Sequence, residues 1–234
     1  MKFVTFSFDD GEIHDEKLCE LFRKYSLKAS FGLRSHCCGK RGDLYRSDGS
    51  FLRHYEIIPK NRIAEVYSGF EICSHGANHN SFAGKSVEEL KNEIYPDMEL
   101  FERLTGNKVV GAIYPGGICD DASIENLKKI GVKFCRAIPN ETYNMSVPTE
   151  WERWVPTCHF QDEKLFEVIA RFNKIGKEND AILHIFGHSY ELEYKNCDWW
   201  NKFEEVCRLI KNMKNVRYAS MGEIYDYYVD GFGQ

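Results

Sequence analysis

The chain has 234 residues with 31 basic and 36 acidic side chains, a formal net charge of −5. Hydrophobic residues make up 43% and charged residues 29%, enough for a sizeable core in one domain spanning 1–234. The acidic balance argues against nucleic acid as a partner, and no apolar run approaches the ~18 residues that span a membrane.

The N-terminal segment reaches acidic residues at position 9 without the apolar core of an export signal. Nine cysteines include no CxxC pair, so a reduced, cytoplasmic protein is expected. Apolar runs predict strands at 3–8, 28–33, 70–74, 109–114, 132–136, 154–157, 181–186 and 216–219. Amphipathic stretches predict helices near 14–25, 60–67, 86–104, 120–130, 162–176, 198–213 and 221–228. In the third helix Val87, Leu90, Ile94, Met98, Phe101 and Leu104 recur at helical spacing and supply a buried face. Strand–helix alternation over the whole length predicts a parallel sheet. The fold class is α/β, a distorted (β/α) TIM-like barrel with seven strands, and a doubly wound open sheet is the alternative. Residues 34–59 read as one irregular loop, far longer than the usual ~2–6 residues, placed to wall a substrate site.

Polar residues follow directly on several apolar strands: Asp9-Asp10-Gly11, Ser74-His75, Tyr114-Pro115-Gly116-Gly117 and Gly187-His188-Ser189. In a barrel all of these reach the rim that carries active sites. His75 and His79 have the i, i+4 spacing that lets two imidazoles share one metal on a helical turn; two unrelated loop histidines would look the same. The Asp9-Asp10 pair can cap a turn ahead of Gly11. It can equally divide its labour, one carboxylate on a metal and its neighbour acting as a base.

Phe8-Asp9-Asp10-Gly11 and Ser74-His75-Gly76-Ala77-Asn78-His79 resemble the first two motifs of the polysaccharide deacetylases, the NodB-homology group or carbohydrate esterase family four. The later Tyr114-Pro115-Gly116-Gly117 and Gly187-His188-Ser189 segments extend that resemblance over most of the chain. It implies a distorted barrel holding one divalent metal ion, usually zinc, that removes acetyl groups from sugars. By this resemblance Asp9 is the catalytic base, and Asp10, His75 and His79 are the metal ligands. Tyr114, Pro115 and Gly116 fall in the substrate groove, with the Gly116 N–H helping to hold the oxyanion. His188 is the general acid.

Two departures stand out. The family's third motif carries an arginine shortly before the proline, where this chain has Ala112-Ile113-Tyr114. Arg136 closes the run 132–135 and is expected at the same rim, where it takes over the task of holding the Asp9 carboxylate; an arginine facing solvent is the alternative. In the last motif His184 competes with His188, but alternation places it beside Ile182 and Phe186 as a packed core residue. Trp154, with Trp151, Trp199 and Trp200, can stack on a sugar or simply pack, and His159 sits just past a strand at the rim or on the surface. Glu191 and Glu193 read as solvated loop charges. The expected reaction is metal-dependent deacetylation of an acetylated sugar. The alternatives are hydrolysis of a small non-sugar amide on the same site and a catalytically silent carbohydrate-binding protein.

Overall fold

The computed structural model describes residues 1–138, 143–176, 178–195 and 197–231. In chain order the elements are β1 (Lys2–Asp9), α1 (Asp15–Lys24), β2 (Ser30–Leu33), β3 (Arg41–Tyr45), β4 (Phe51–Glu56), α2 (Ile63–Val66), β5 (Glu71–Ser74) and α3 (Val87–Thr105). They continue with β6 (Gly111–Ile113), α4 (Asp121–Lys129), β7 (Phe134–Arg136), β8 (Cys158–His159), α5 (Leu165–Lys174), β9 (Ala181–His188), α6 (Trp199–Lys211), β10 (Arg217–Tyr218) and α7 (Met221–Tyr225).

The main sheet runs β7-β6-β5-β2-β1-β9-β8, and β10 pairs with β1 beyond the reach of β2. All of these pairings are parallel. Just before β8 the chain bridges back to β7, with the Trp154 N–H donating to Cys135 O and the Ala137 N–H to Trp154 O. The sheet therefore curls round on itself as a distorted barrel. The paired strand here is Cys158–His159 rather than 154–157, because Trp154–Thr157 forms the crossing between the two sheet edges. No helix among the described residues is long and apolar enough to cross a membrane, and all nine cysteines are free thiols.

Strand parity decides what lines the interior, since alternate side chains of a strand face opposite sides. On β1, Val4, Phe6 and Phe8 pack outward with Phe22 of α1 and Phe203 of α6. Phe3 points the other way, into a cluster with Cys73, Ile113, Phe134, Trp154 and Ile182. Asp9 shares the face of Phe3, His75 that of Cys73, Arg136 that of Phe134, and His188 that of Ile182. Four polar side chains thus stand at the top of four inward-facing columns.

Residues 34–59 are not one irregular loop. β3 and β4 form an antiparallel hairpin whose tip turns at Gly49, φ 82°, where the Asp48 carboxylate accepts the Ser50 N–H at 2.8 Å. The Ser47-Asp48-Gly49 turn signal marks this tip in the sequence.

Candidate active site

Asp10 follows β1 with φ 81°, a left-handed conformation that aspartate tolerates better than most residues. Its Oδ1 lies 3.6 Å from Nε2 of His75 and 3.6 Å from Nε2 of His79, and the two Nε2 atoms are 3.2 Å apart. Corners of a tetrahedron set ~2.0–2.2 Å from a common centre stand roughly 3.3–3.6 Å apart, so the three donors have the spacing of three ligands. The donor set fits in protonation as well. Nδ1 of His75 is 2.9 Å from Ile113 O, and a carbonyl only accepts, so the proton sits on Nδ1 and the Nε2 lone pair faces the other two donors. Burial pushes His75 down to about 4 despite the opposing pull of Asp9 and Asp10, and burial lowers His79 also. Asp10 Oδ1 is itself buried and has no hydrogen-bond partner among the described residues. These observations fit a divalent cation held by Asp10, His75 and His79.

The loop carrying both histidines hangs on α3, which begins with a Ser86–Glu89 capping box. Glu93 accepts the Asn78 N–H at 3.0 Å and the Asn80 amide at 2.6 Å. One turn on, Asp97 accepts the Ser35 N–H and the Ser74 hydroxyl, each at 2.7 Å. Gly76, φ +75°, must be glycine: a Cβ there would come within 3.2 Å of Glu93 Oε2 and 3.1 Å of the Phe82 ring. Glu93→Gln turns an acceptor into a donor beside these N–H groups. It is expected to weaken cation binding roughly 10–100-fold, the usual cost of losing an outer-shell partner, as competition against a chelating dye would read.

Asp9 is buried, and Nη2 of Arg136 donates to both of its carboxylate oxygens. Burial opposes ionisation, but Arg136, with His75 and His188, outweighs it and holds the carboxyl at about 2. Arg136 is fully buried, and its Nε and Nη1 have no partner among the described residues. Its Cζ lies 5.2 Å from the centroid of the Phe186 ring.

His188 faces Asp9 across the β1–β9 register, with Nε2 3.9 Å from Asp9 Oδ2 and Nδ1 3.4 Å from Glu191 Oε2. Burial works against its charge, yet Glu191 and Asp9 raise it to about 9. The same Glu191 oxygen accepts the His188 backbone N–H at 2.8 Å and lies 2.9 Å from His159 Nε2. The hydrogen-bonded His159 ring and the nearby His188 ring outweigh its burial and hold its carboxyl at about 2. Glu191 is thus no solvated loop charge. Its spacing of three from His188, that of a helix-capping pair, is the signal that could have found it. Glu193 is half exposed and accepts the Trp200 indole N–H at 2.6 Å. Arg34, also missed, has Nε 3.5 Å from Asp10 Oδ1.

His184 is buried mid-strand, its Nε2 2.8 Å from Ser7 Oγ and its ring edge-on to Trp154. Two of the side chains expected from sequence to contact substrate are buried. Trp154 is buried, packed against Phe134 and Trp151, because it occupies an inward position at the barrel closure. Tyr114 is buried too, and its hydroxyl donates to Glu152 O at 2.9 Å. Pro115 lies against the loop that carries His75 and His79, 3.3 Å from where a Cβ on Gly76 would sit. Gly116 is exposed, with φ 67°. His159 is partly exposed at the rim, held by Glu191.

A family model described as polysaccharide deacetylase matches residues 1–135. No curated protein matches by sequence. Among solved structures, one from Mycobacterium smegmatis described as a polysaccharide deacetylase aligns with TM-score 0.64 at 14% identity, over 99% of this chain and 91% of that one. The Xyl-CE4 domain of a multidomain xylanase from the hindgut metagenome of Trinervitermes trinervoides aligns at 0.60 and 14%, over 97% and 91%. A family 4 acetyl xylan esterase from Clostridium thermocellum, in complex with a cobalt ion, aligns at 0.56 and 14%, over 96% and 91%. At such identities the likeness is one of fold.

Proposed function

The chain belongs to the polysaccharide deacetylase family, and on that premise we propose that it is a metal-dependent hydrolase removing acetyl groups from an acetylated sugar. One observation carries the reading. The three donors Asp10, His75 and His79, at the spacing of a tetrahedral site, share a rim with an arginine-paired carboxylate and a histidine of raised pKa. Two imidazoles and a carboxylate are a donor set that zinc takes with a position left open, and zinc is the ion we propose. A divalent cation there supplies polarisation of the acetyl carbonyl and of water.

The rest falls to the chain's own groups. Asp9, kept ionised by Arg136, accepts the proton of the attacking water. The exposed Gly116 N–H donates to the developing oxyanion. His188, protonated at neutral pH, delivers a proton to the departing nitrogen or oxygen, and Glu191, beside Nδ1, keeps the ring charged. His159, partly exposed at the rim, borders the sugar.

The test is acetate release from acetylated sugar oligomers by the zinc-loaded protein. Metal-dependent release supports the reading; its absence across N- and O-acetylated sugars overturns it. His188→Ala is expected to lower kcat on amides by roughly 10²–10⁴-fold, and less on activated esters, whose leaving groups need little protonation. Activity requires the protonated His188, so kcat should fall above pH of about 9. Glu191→Gln should move that alkaline limb down toward the ordinary histidine range, which a pH–rate profile would show directly.

A further inference from the structure

Arg53, on the β3–β4 hairpin, touches both segments that carry the chemistry. Its Nη1 and Nη2 donate to the two carboxylate oxygens of Glu12 at 2.8 and 2.6 Å, and Glu12, three residues beyond Asp9, is buried. Its Cζ also lies 3.6 Å from the centroid of the Tyr190 ring. That ring stands 5.0 Å from the His188 ring, tilted by 30°. The foot of the hairpin is tied to the same stretch of chain. The Ile13 N–H donates to Glu56 O at 2.8 Å and the Ile58 N–H to Gly11 O at 2.9 Å.

We propose that Arg53 is a positioning residue for the proton donor: it clamps the Ser189–Glu193 turn to the Asp9–Glu12 segment and so fixes the His188 ring relative to Asp9. The inference rests on the reading of His188 as the acid. Arginine suits the task because one planar group forks onto a carboxylate and stacks on a ring together; lysine offers a point charge that does one or the other. A looser tie joins the turn to the residues after Glu12, where His14 Nδ1 lies 3.9 Å from Glu193 Oε1, and the remaining ties run elsewhere. Gln161 Nε2 reaches Glu191 O at 3.2 Å, Trp200 Nε1 reaches Glu193, and His159 reaches Glu191. None of these joins it to β1.

The test uses the full zinc-loaded chain and the charge-balanced pair Arg53→Met/Glu12→Gln, which strands no buried charge. Amide hydrogen exchange over 189–193 should quicken by roughly tenfold while β1 and β9 stay protected. The kcat for an N-acetyl sugar should fall by roughly 10–100-fold, the scale set by small misplacements of a reacting group. An activated aryl acetate should be nearly unaffected, with KM steady for both substrates. Arg53→Lys should lie between. Tyr190→Leu, which keeps the ion pair and removes the ring, should repeat the pattern if the double variant does not fold. Unchanged exchange over 189–193 overturns the proposal whatever the activity. Equal losses on amide and ester overturn it as well, since they mark a structural prop and not a placed acid. If exchange quickens but the wild type hydrolyses neither substrate, the clamp stands and the hydrolase reading falls.

Discussion

His79→Ala is expected to lose the bound metal and, with it, all metal-dependent acetate release. Its side chain is 37% exposed, so truncation leaves no core cavity and the fold should hold. Structural zinc sites bind with ~10–16 kcal/mol shared among about four ligands, so one ligand is worth on the order of several hundredfold in affinity. Metal content after dialysis and circular dichroism measured together check this: full metal in the variant would remove His79 from the ligand set. Asp10→Asn is the companion, because asparagine also tolerates the φ of 81° found there but brings no charge. The pH dependence has a definite sign. Protons compete with the metal for the imidazoles, and His75, lowered to about 4 by burial, resists them further into acid than a free histidine would. Metal should therefore stay bound through mildly acidic pH and be released as pH falls toward about 4.

Arg136→Met should hurt stability and rate together. Removing one partner of a buried ion pair costs about 3–5 kcal/mol, read as a lower urea midpoint. Without Arg136, only His75 and His188 oppose burial, which drives the Asp9 carboxyl upward, so the base takes up a proton at higher pH than in the wild type. The variant should keep its metal but gain an acid limb in kcat that the wild type lacks, with rate recovering as pH rises. A wild-type pH profile would reject the pairing as functional. Arg136→Lys should restore part of the stability but not the two-oxygen contact. In the wild type the folded carboxyl sits at about 2 against an ordinary value of 3.8. The contribution of Asp9 ionisation, about 2 kcal/mol, is full above the unfolded value and lost as pH falls through the folded one.

Much of this architecture is written in alternation. The pattern on β9 puts Ile182, His184, Phe186 and His188 on one face, and it already separates a core histidine from a rim histidine without knowledge of any partner. The same parity on 132–136 sends Arg136 inward with Phe134. The Asp9-Asp10-Gly11 end of a strand and the His75–His79 spacing are equally local. Period-two alternation depends only on backbone geometry within a strand, so a single sequence displays it; His75 and His79 meet instead on a turn with Gly76 and His79 at positive φ, not on the helical turn expected from their spacing.

Tertiary structure alone decided the contacts whose partners lie far apart in the chain. Arg136 and Asp9 are 127 positions apart, and their meeting depends on strand order, which places β7 and β1 around one barrel interior. The fates of Tyr114 and Trp154 turned on the barrel closure, where Trp154 pairs with Arg136 and both aromatic rings are sealed inside. Glu191 acquired its two histidines because β8 and β9 are neighbours, and Arg53 reached Glu12 and Tyr190 because a hairpin formed where composition suggested a loop. Burial and charge pairing are properties of the assembled surfaces. Short-range pattern therefore determined which side chains face the site, and the folding of distant segments against one another determined which of them are paired, sealed or free to act.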